Sequence, residues 1–192
     1  MRITGGQWAN RPIAVPSGLG VRPTPDKVRQ AIFNSLGEWV ADRTILELFA
    51  GSGALSLECL SRGATSAVCV EKSAKHAGYI RSNARDLKIQ LAVRVQEAMT
   101  AVKKLATSGQ QFDFILADPP YGEKTTPRNR SESWAQQLID DKVLPGILVS
   151  GGILLIGHAK RDKVELSRYW SERKTLKHGD SWIRILEHAS CV

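Results

Sequence analysis

A doubly wound α/β fold on a mostly parallel sheet is predicted by three features of this 192-residue chain. A short apolar run, Ile45 to Phe49, stops at Ala50-Gly51-Ser52-Gly53 and passes into an amphipathic stretch with Leu55, Cys59 and Leu60 on one side. That is strand, tight glycine turn and helix. A second run, Ala67 to Val70, is continuously apolar, as a strand covered on both faces must be, and it ends in an acid, Glu71. A third, Phe112 to Ala117, runs into Asp118-Pro119-Pro120-Tyr121. Two prolines cannot extend a central strand, so the chain must leave the sheet there.

The remaining elements follow in order. Residues 1–25 differ from the rest: loose alternation around Gly5-Gly6 predicts a small β-hairpin or arm, and Val21-Arg22-Pro23-Thr24-Pro25 an extended linker. The domain proper is expected over 26–192. Thr24 is placed as N-cap of the first helix, with Pro25 at its first position and Asp26 in its first turn. Val28, Ile32, Phe33 and Leu36 form its apolar stripe and Gly37 ends it. Arg29 lies opposite that stripe, facing solvent or a polyanion. Gly63 closes the helix after the glycine turn. Ala74 to Lys88 is a helix, Leu91 to Val95 a third strand, and Ala101 to Ala106 a further helix. Glu123 to Ser133 is polar and basic, a flap beside the proline motif. Trp134 to Val143 is a helix with Trp134, Leu138, Ile139 and Val143 inward. Ile153 to Ile156 is a strand with His158 just past it, on the surface, capped, or acting as a base. Lys160, Arg161 and Lys163 mark an exposed turn. Ser171 to Leu176 and Ser181 to Leu186 close the chain as an antiparallel pair.

Composition narrows the class. A hydrophobic fraction of 42% is enough for a real core. No apolar stretch reaches membrane-spanning length, and nothing reads as a signal peptide. Cys59, Cys69 and Cys191 lack the spacing of a disulfide frame or metal site, which points to a reducing, cytoplasmic compartment and no metal. A net charge of +8 favours a polyanionic partner. Arg2, Arg11 and Arg22 fall in an arm with no acid, and Lys124, Arg128 and Arg130 follow the proline motif. Trp8, between Arg2 and Arg11, either stacks on a base or packs the arm onto the domain.

Three strand tips carry the chemistry. Gly51 and Gly53 remove the Cβ where the chain turns and a ligand comes close. A dinucleotide fingerprint would add a third glycine, but position 56 is Ser. Glu47, inside the strand, would repel phosphate and suits a ligand with an amino group. Glu47-Leu-Phe49-Ala-Gly51-Ser52-Gly53 resembles the acid-x-Phe-x-Gly-x-Gly motif of S-adenosylmethionine (SAM) dependent class I methyltransferases. Glu71, followed by Lys72, sits at the second tip, where a ribose presents its hydroxyls. Glu97 and Ala98 at the third tip either meet the adenine or merely start a helix. At the fourth, the Asp118 carboxylate and Pro119 carbonyl, braced by Pro120, can accept the two hydrogens of a planar amine while Tyr121 stacks on its ring.

With these motifs in view the chain resembles the bacterial 16S ribosomal RNA guanine-N2 methyltransferases. The resemblance is carried by Arg2-Ile-Thr-Gly-Gly6, by Arg22-Pro-Thr24-Pro-Asp26-Lys-Val28-Arg29, by Glu47 through Leu55, by Leu60 to Ala64 and by Val70-Glu71-Lys72. It runs nearly end to end. Two sites depart from it: Gly157-His158 stands where members often carry Val-Glu, and Glu97 where they carry Gly-Asp. The resemblance implies a seven-stranded class I fold with an RNA-binding N-terminal extension; Arg2, Trp8 and Arg11 in that arm, and Arg29, Lys124, Arg128 and Arg130 beyond it, are the residues expected to serve RNA. It implies SAM as cofactor, with Arg22 and Thr24 beside it, and a guanine amine of 16S rRNA in the small subunit as acceptor; a monomer is expected, though the sequence itself does not fix the oligomeric state. The rival readings are a DNA adenine-N6 or cytosine-N4 methyltransferase and a non-catalytic RNA-binding module.

Overall fold

The computed structural model describes residues 1–16, 24–121 and 133–189. Strands β1 (Thr44–Leu48), β2 (Ser66–Glu71), β3 (Ala92–Val95), β4 (Phe112–Ala117), β5 (Leu148–Ala159), β6 (Trp170–His178) and β7 (Ser181–His188) form one sheet. Its order is β3-β2-β1-β4-β5-β7-β6. The first five run parallel, and β7 is inserted antiparallel between β5 and β6. The order reverses between β1 and β4, so the crevice at their carboxyl ends is where such a sheet binds ligands.

Helices α1 (Asp26–Leu36), α2 (Ala54–Ser61), α3 (Ala74–Leu87), α4 (Ala98–Thr107) and α5 (Trp134–Asp140) cover the faces. Alternation along the strands divides the core. Leu46, Leu48, Val68, Val70, Ile115, Leu154 and Ile156 pack against α4 and α5. Ile45, Phe114, Leu116, Ile153, Leu155 and Ile183 pack against α1 and α2 on the other side. Among the described residues no helix is long and apolar enough to cross a membrane, and no cluster of His, Cys, Asp and Glu has metal-site geometry.

The arm is tied down rather than free. Arg2 and Pro12 form a single antiparallel bridge, with Ile3 N–H donating to the Arg11 carbonyl at 3.0 Å and Ile13 N–H to that of Met1 at 2.9 Å. This is less than the expected hairpin, because the intervening residues turn back onto α2: Gln7 N–H reaches the Ser61 carbonyl at 2.8 Å. Ile3 and Ile13 are buried with Leu57 and Leu87. Asn83 on α3 both donates to and accepts from the Ala14 backbone at 2.8 Å, and donates to the Ser52 carbonyl at 3.1 Å. The arm and the glycine turn therefore share one buried amide.

Arg29 corrects the sequence reading most sharply. It is fully buried, and it faces neither solvent nor RNA. The face opposite the α1 stripe is covered by the arm, which periodicity within a helix does not register. Arg29 donates to the Arg2 carbonyl, to the Thr24 carbonyl at 2.9 Å and to Asp26 at 3.0 Å, and its Nε lies 3.8 Å from Glu58. Glu58, also fully buried, accepts from Thr4 N–H at 2.8 Å, from the Thr4 hydroxyl at 2.7 Å and from Arg62 at 2.9 Å.

Two further expectations change. β5 runs to Ala159 because β7 pairs along it as far as Ala159↔Ser181, so His158 lies inside the strand and is buried instead of following it on the surface. Trp134 is half-buried, its ring 5.8 Å from that of Phe49 instead of in the core. Removing the buried cation should release the arm. Arg29→Met is expected to lower stability by about 3 kcal/mol, because Glu58 keeps its charge with one guanidinium fewer. Urea unfolding followed by tryptophan fluorescence measures it.

Candidate active site

The crevice is made by a chain that turns out of β1 in the left-handed region. Phe49, Gly51 and Gly53 have φ of 57°, 55° and 73°. Phe49 bears that conformation with a Cβ, a strain typical of sites where backbone is held for a purpose. A Cβ on Gly51 would point into open space, so this glycine leaves the mouth of the crevice clear. Gly53 is the N-cap of α2 and offers no side chain to its amides. Glu47 serves instead: its carboxylate accepts from Ser56 N–H at 2.9 Å. Burial pushes the Glu47 carboxyl up to about 7, against hydrogen bonds from Ser56 and Leu55 that favour the anion, and the nearby Asp118 charge adds to the rise.

Glu71, at the tip of β2, crosses to the turn. One oxygen accepts from Gly51 N–H at 2.8 Å and the other from Ser73 N–H at 2.8 Å. Lys72 beside it is exposed. Glu97 is the N-cap of α4, accepting from Met99 N–H at 3.0 Å and Thr100 N–H at 2.8 Å. Partial burial works against its charge, but those amides prevail and hold the carboxyl below its usual range. Ala98 is buried under it. The helix-start reading of Glu97 thus has a visible basis.

Asp118 follows β4, whose Ala117 is level with Leu48 of β1. It stands one strand from the glycine turn. Its Oδ2 accepts from the Thr24 hydroxyl at 2.5 Å. Thr24 is therefore not the N-cap of α1: Pro25 holds that place, with no side-chain cap, because the threonine hydroxyl is turned to the acid. On the β5 side a Cβ on Gly157 would overlap Asp118 Oδ1. The carboxylate is set between a hydroxyl and a bare Cα. Pro119 is buried and Pro120 exposed. The Tyr121 hydroxyl donates to Ser181 Oγ at 2.7 Å, fastening the motif to β7.

The residues expected to meet RNA divide. Arg2 and Arg11 are exposed; Arg2 lies 3.6 Å from Asp26 and Arg11 donates to the Asp86 carbonyl at 3.2 Å. Trp8 is half-buried against the domain and its N–H donates to Ser61 Oγ at 3.0 Å, which favours the packing role. Arg22, Lys124, Arg128 and Arg130 lie outside the described residues, as does Cys191. Sequence reasoning missed Glu58, Asn83 and Gly157. Asn83 had left a signal, a polar residue in the buried stripe of Ile80, Ala84 and Leu87; Glu58 and Gly157 are explained only by contacts far along the chain.

An acid in the first strand, a glycine turn, acids at the next tips and an Asp-Pro-Pro-Tyr after the fourth strand, on this sheet order, define an α/β fold of the class I methyltransferase type. The Escherichia coli protein yhhF, described as a candidate methyltransferase, superposes with a TM-score of 0.78 at 30% identity over 100% of this chain and 99% of that one. The chain belongs to the family described as conserved hypothetical protein 95, whose model matches residues 1–187. Ribosomal RNA small subunit methyltransferase D of Escherichia coli K12 is 40% identical over 121 residues, 63% of this chain and 60% of its own length. A Bacillus subtilis protein, YlbH, described as a candidate rRNA methyltransferase, is 35% identical over 126 residues, 65% of this chain and 68% of its own.

The Glu47 shift has a consequence for stability. The unfolded chain releases this proton near 4.5, whereas the folded protein keeps it to about 7. Between those values the folded state binds more protons, so stability falls as pH rises. The contribution is whole below 4.5 and lost above 7, roughly 3 kcal/mol at its limit. Glu47→Gln should flatten this part of the profile, measured by denaturant unfolding of the ligand-free protein from pH 4.5 to 8.

Proposed function

We propose that this chain transfers a methyl group from SAM to the exocyclic N2 amine of a guanine in small-subunit ribosomal RNA. The observation that carries the reading is the position of Asp118: one strand from the glycine turn, close enough to act on the charge of Glu47, and held between Thr24 and Gly157. The name of the Escherichia coli relative supports the RNA class, over the 60% of its length that is aligned. The Asp-Pro-Pro-Tyr motif supports an amine acceptor.

The crevice fits SAM on its own chemistry. Glu47 offers a buried carboxyl group that a cationic amino-acid end would draw to its charged form, Glu71 is held with one oxygen on Gly51 and the other on Ser73, and a Cβ at Gly51 would meet open space. Phosphate would find acids there. Bound in the crevice, SAM supplies an electrophilic methyl group on a sulfonium. The protein's part is to prepare the acceptor. Guanine N2 is a poor nucleophile because its lone pair is delocalised into the ring. Hydrogen bonds from its two protons to Asp118 and the Pro119 carbonyl draw it towards tetrahedral geometry and stabilise the charge that develops. Holding the amine in line supplies much of the remaining acceleration. Tyr121, anchored on Ser181, offers a ring to a base taken out of its stack.

Asp118→Asn should lower kcat at least about a hundredfold while SAM affinity changes less than about twofold. Radiolabelled methyl transfer to rRNA, to assembled small subunits and to DNA, with calorimetric SAM binding, tests this. Transfer to DNA alone would return the rival assignment, and a wild-type protein that binds SAM and methylates nothing would return the non-catalytic one. Gly157→Ala should turn the Asp118 carboxylate aside and lower kcat about tenfold with SAM affinity unchanged, since the Cβ meets only the far end of that side chain and Ile183.

A further inference from the structure

The last two strands carry surface chemistry that the methyl-transfer reading does not use. Lys177 on β6 is level with Trp182 on β7, and Trp182 with His158 on β5. Directly paired residues share a sheet face, so the three form one row. Lys177 is exposed, its Nζ 4.5 Å from the centre of the Trp182 ring. Trp182 is half-buried, and its other neighbour is the His158 ring at 6.0 Å. His158 is fixed: its Nδ1 is 2.9 Å from the Ala159 carbonyl, while Nε2 is buried without a hydrogen-bond partner among the described residues.

The row leads to the site. Ile156 of β5 is level with Ala117 of β4, and His158 follows Gly157, whose Cα faces the Asp118 carboxylate. The Tyr121–Ser181 bond joins the proline motif to the first residue of β7, adjacent to Trp182. The turn after β5 adds charge at this rim, for Lys160 is exposed and its N–H donates to the Asp180 carbonyl at 2.7 Å. Glu172 is matched by Arg184 at 2.6 Å, which leaves Asp180 as the exposed acid of the hairpin turn.

We propose that the β6–β7 hairpin, through Lys177 and Trp182 with Lys160 beside them, is a contact surface for single-stranded RNA next to the acceptor base. An ammonium poised over a partly buried indole, with the exposed Lys160 on the neighbouring turn, fits a phosphate and a neighbouring base together. The net charge of +8 supplies the complementarity. The arm packs against α2 and α3, on the cofactor half of the sheet, whereas this hairpin closes the acceptor half. Bound RNA would thus lie beside Tyr121, whose hydroxyl is fastened to Ser181 next to Trp182. The inference rests on RNA being the substrate class.

The test uses the full chain with protein-free small-subunit rRNA transcript and a short single-stranded oligonucleotide. Trp182→Ala should raise the KM for RNA about tenfold with kcat within about twofold, and Trp182→Phe should restore most of the affinity. Lys177→Gln should weaken binding about threefold and reduce the slope of log affinity against log salt by about one. SAM binding and thermal unfolding, expected unchanged for Lys177→Gln, report folding. A wild-type protein that does not bind RNA sinks the proposed substrate class itself. A wild-type protein that methylates RNA while both variants keep its KM and salt slope overturns this surface alone. So does a fall in activity on assembled particles with RNA affinity unchanged, which would assign the hairpin to a ribosomal protein.

Discussion

A guanidinium with no access to water holds the molecule's two ends of chemistry together. Arg29 touches the arm at the Arg2 carbonyl, the α1 entry at the Thr24 carbonyl, and the α2 carboxylate of Glu58. Taking two opposite charges out of water costs several kcal/mol per ion, so the arrangement stands only because most of the polar atoms around it are satisfied. Glu58 collects Thr4 twice and Arg62 besides. What the cluster secures is position. Thr24 has its carbonyl fixed by Arg29, and the hydroxyl of the same residue is fixed on Asp118. The placement of the candidate catalytic acid is thereby linked, through one residue, to the docking of a segment some twenty positions upstream.

The sheet supplies the other half of the geometry. Because β1 lies between β2 and β4, the turn after it is flanked by Glu71 on one side and Asp118 on the other. Neither distance depends on a flexible element: both acids leave strands whose register with β1 is continuous. Preorganisation of this kind is what the proposed methyl transfer to an amine demands, since the developing charge must meet acceptors already in place.

Much of this was legible in the sequence, and for a common reason. The glycine turn, the acid-tipped β2 and the proline stop after β4 are each written in consecutive residues. Strand β4 and the glycine-ended α1 fall where the pattern put them. What escaped was written across the chain. Arg29 reads as surface because its cover comes from the arm. Thr24 reads as a cap because its true partner is Asp118, and nothing beside Gly157 in the sequence shows that its constraint comes from the same carboxylate. His158 reads as a loop residue because the length of β5 is set by β7. Local patterns set elements; long-range pairing decides which polar side chains are inside.

The distribution of charge then separates the two jobs a polyanion-modifying surface has to do. Glu47, Glu71, Glu97 and Asp118 all stand at or near the carboxyl ends of β1 to β4, while the chain as a whole carries +8. If RNA is the substrate, as proposed, an excess of cations would draw it in, but the field of an exposed charge fades within about 8 Å at physiological salt. A phosphate at the crevice would face carboxylates at close range, with the cations of the rim screened from it. A base edge rich in N–H donors faces the same carboxylates as acceptors. On the proposed function, the arrangement would therefore sort a nucleotide by its parts, keeping phosphates on the rim and admitting the amine, before any residue reads which base it is.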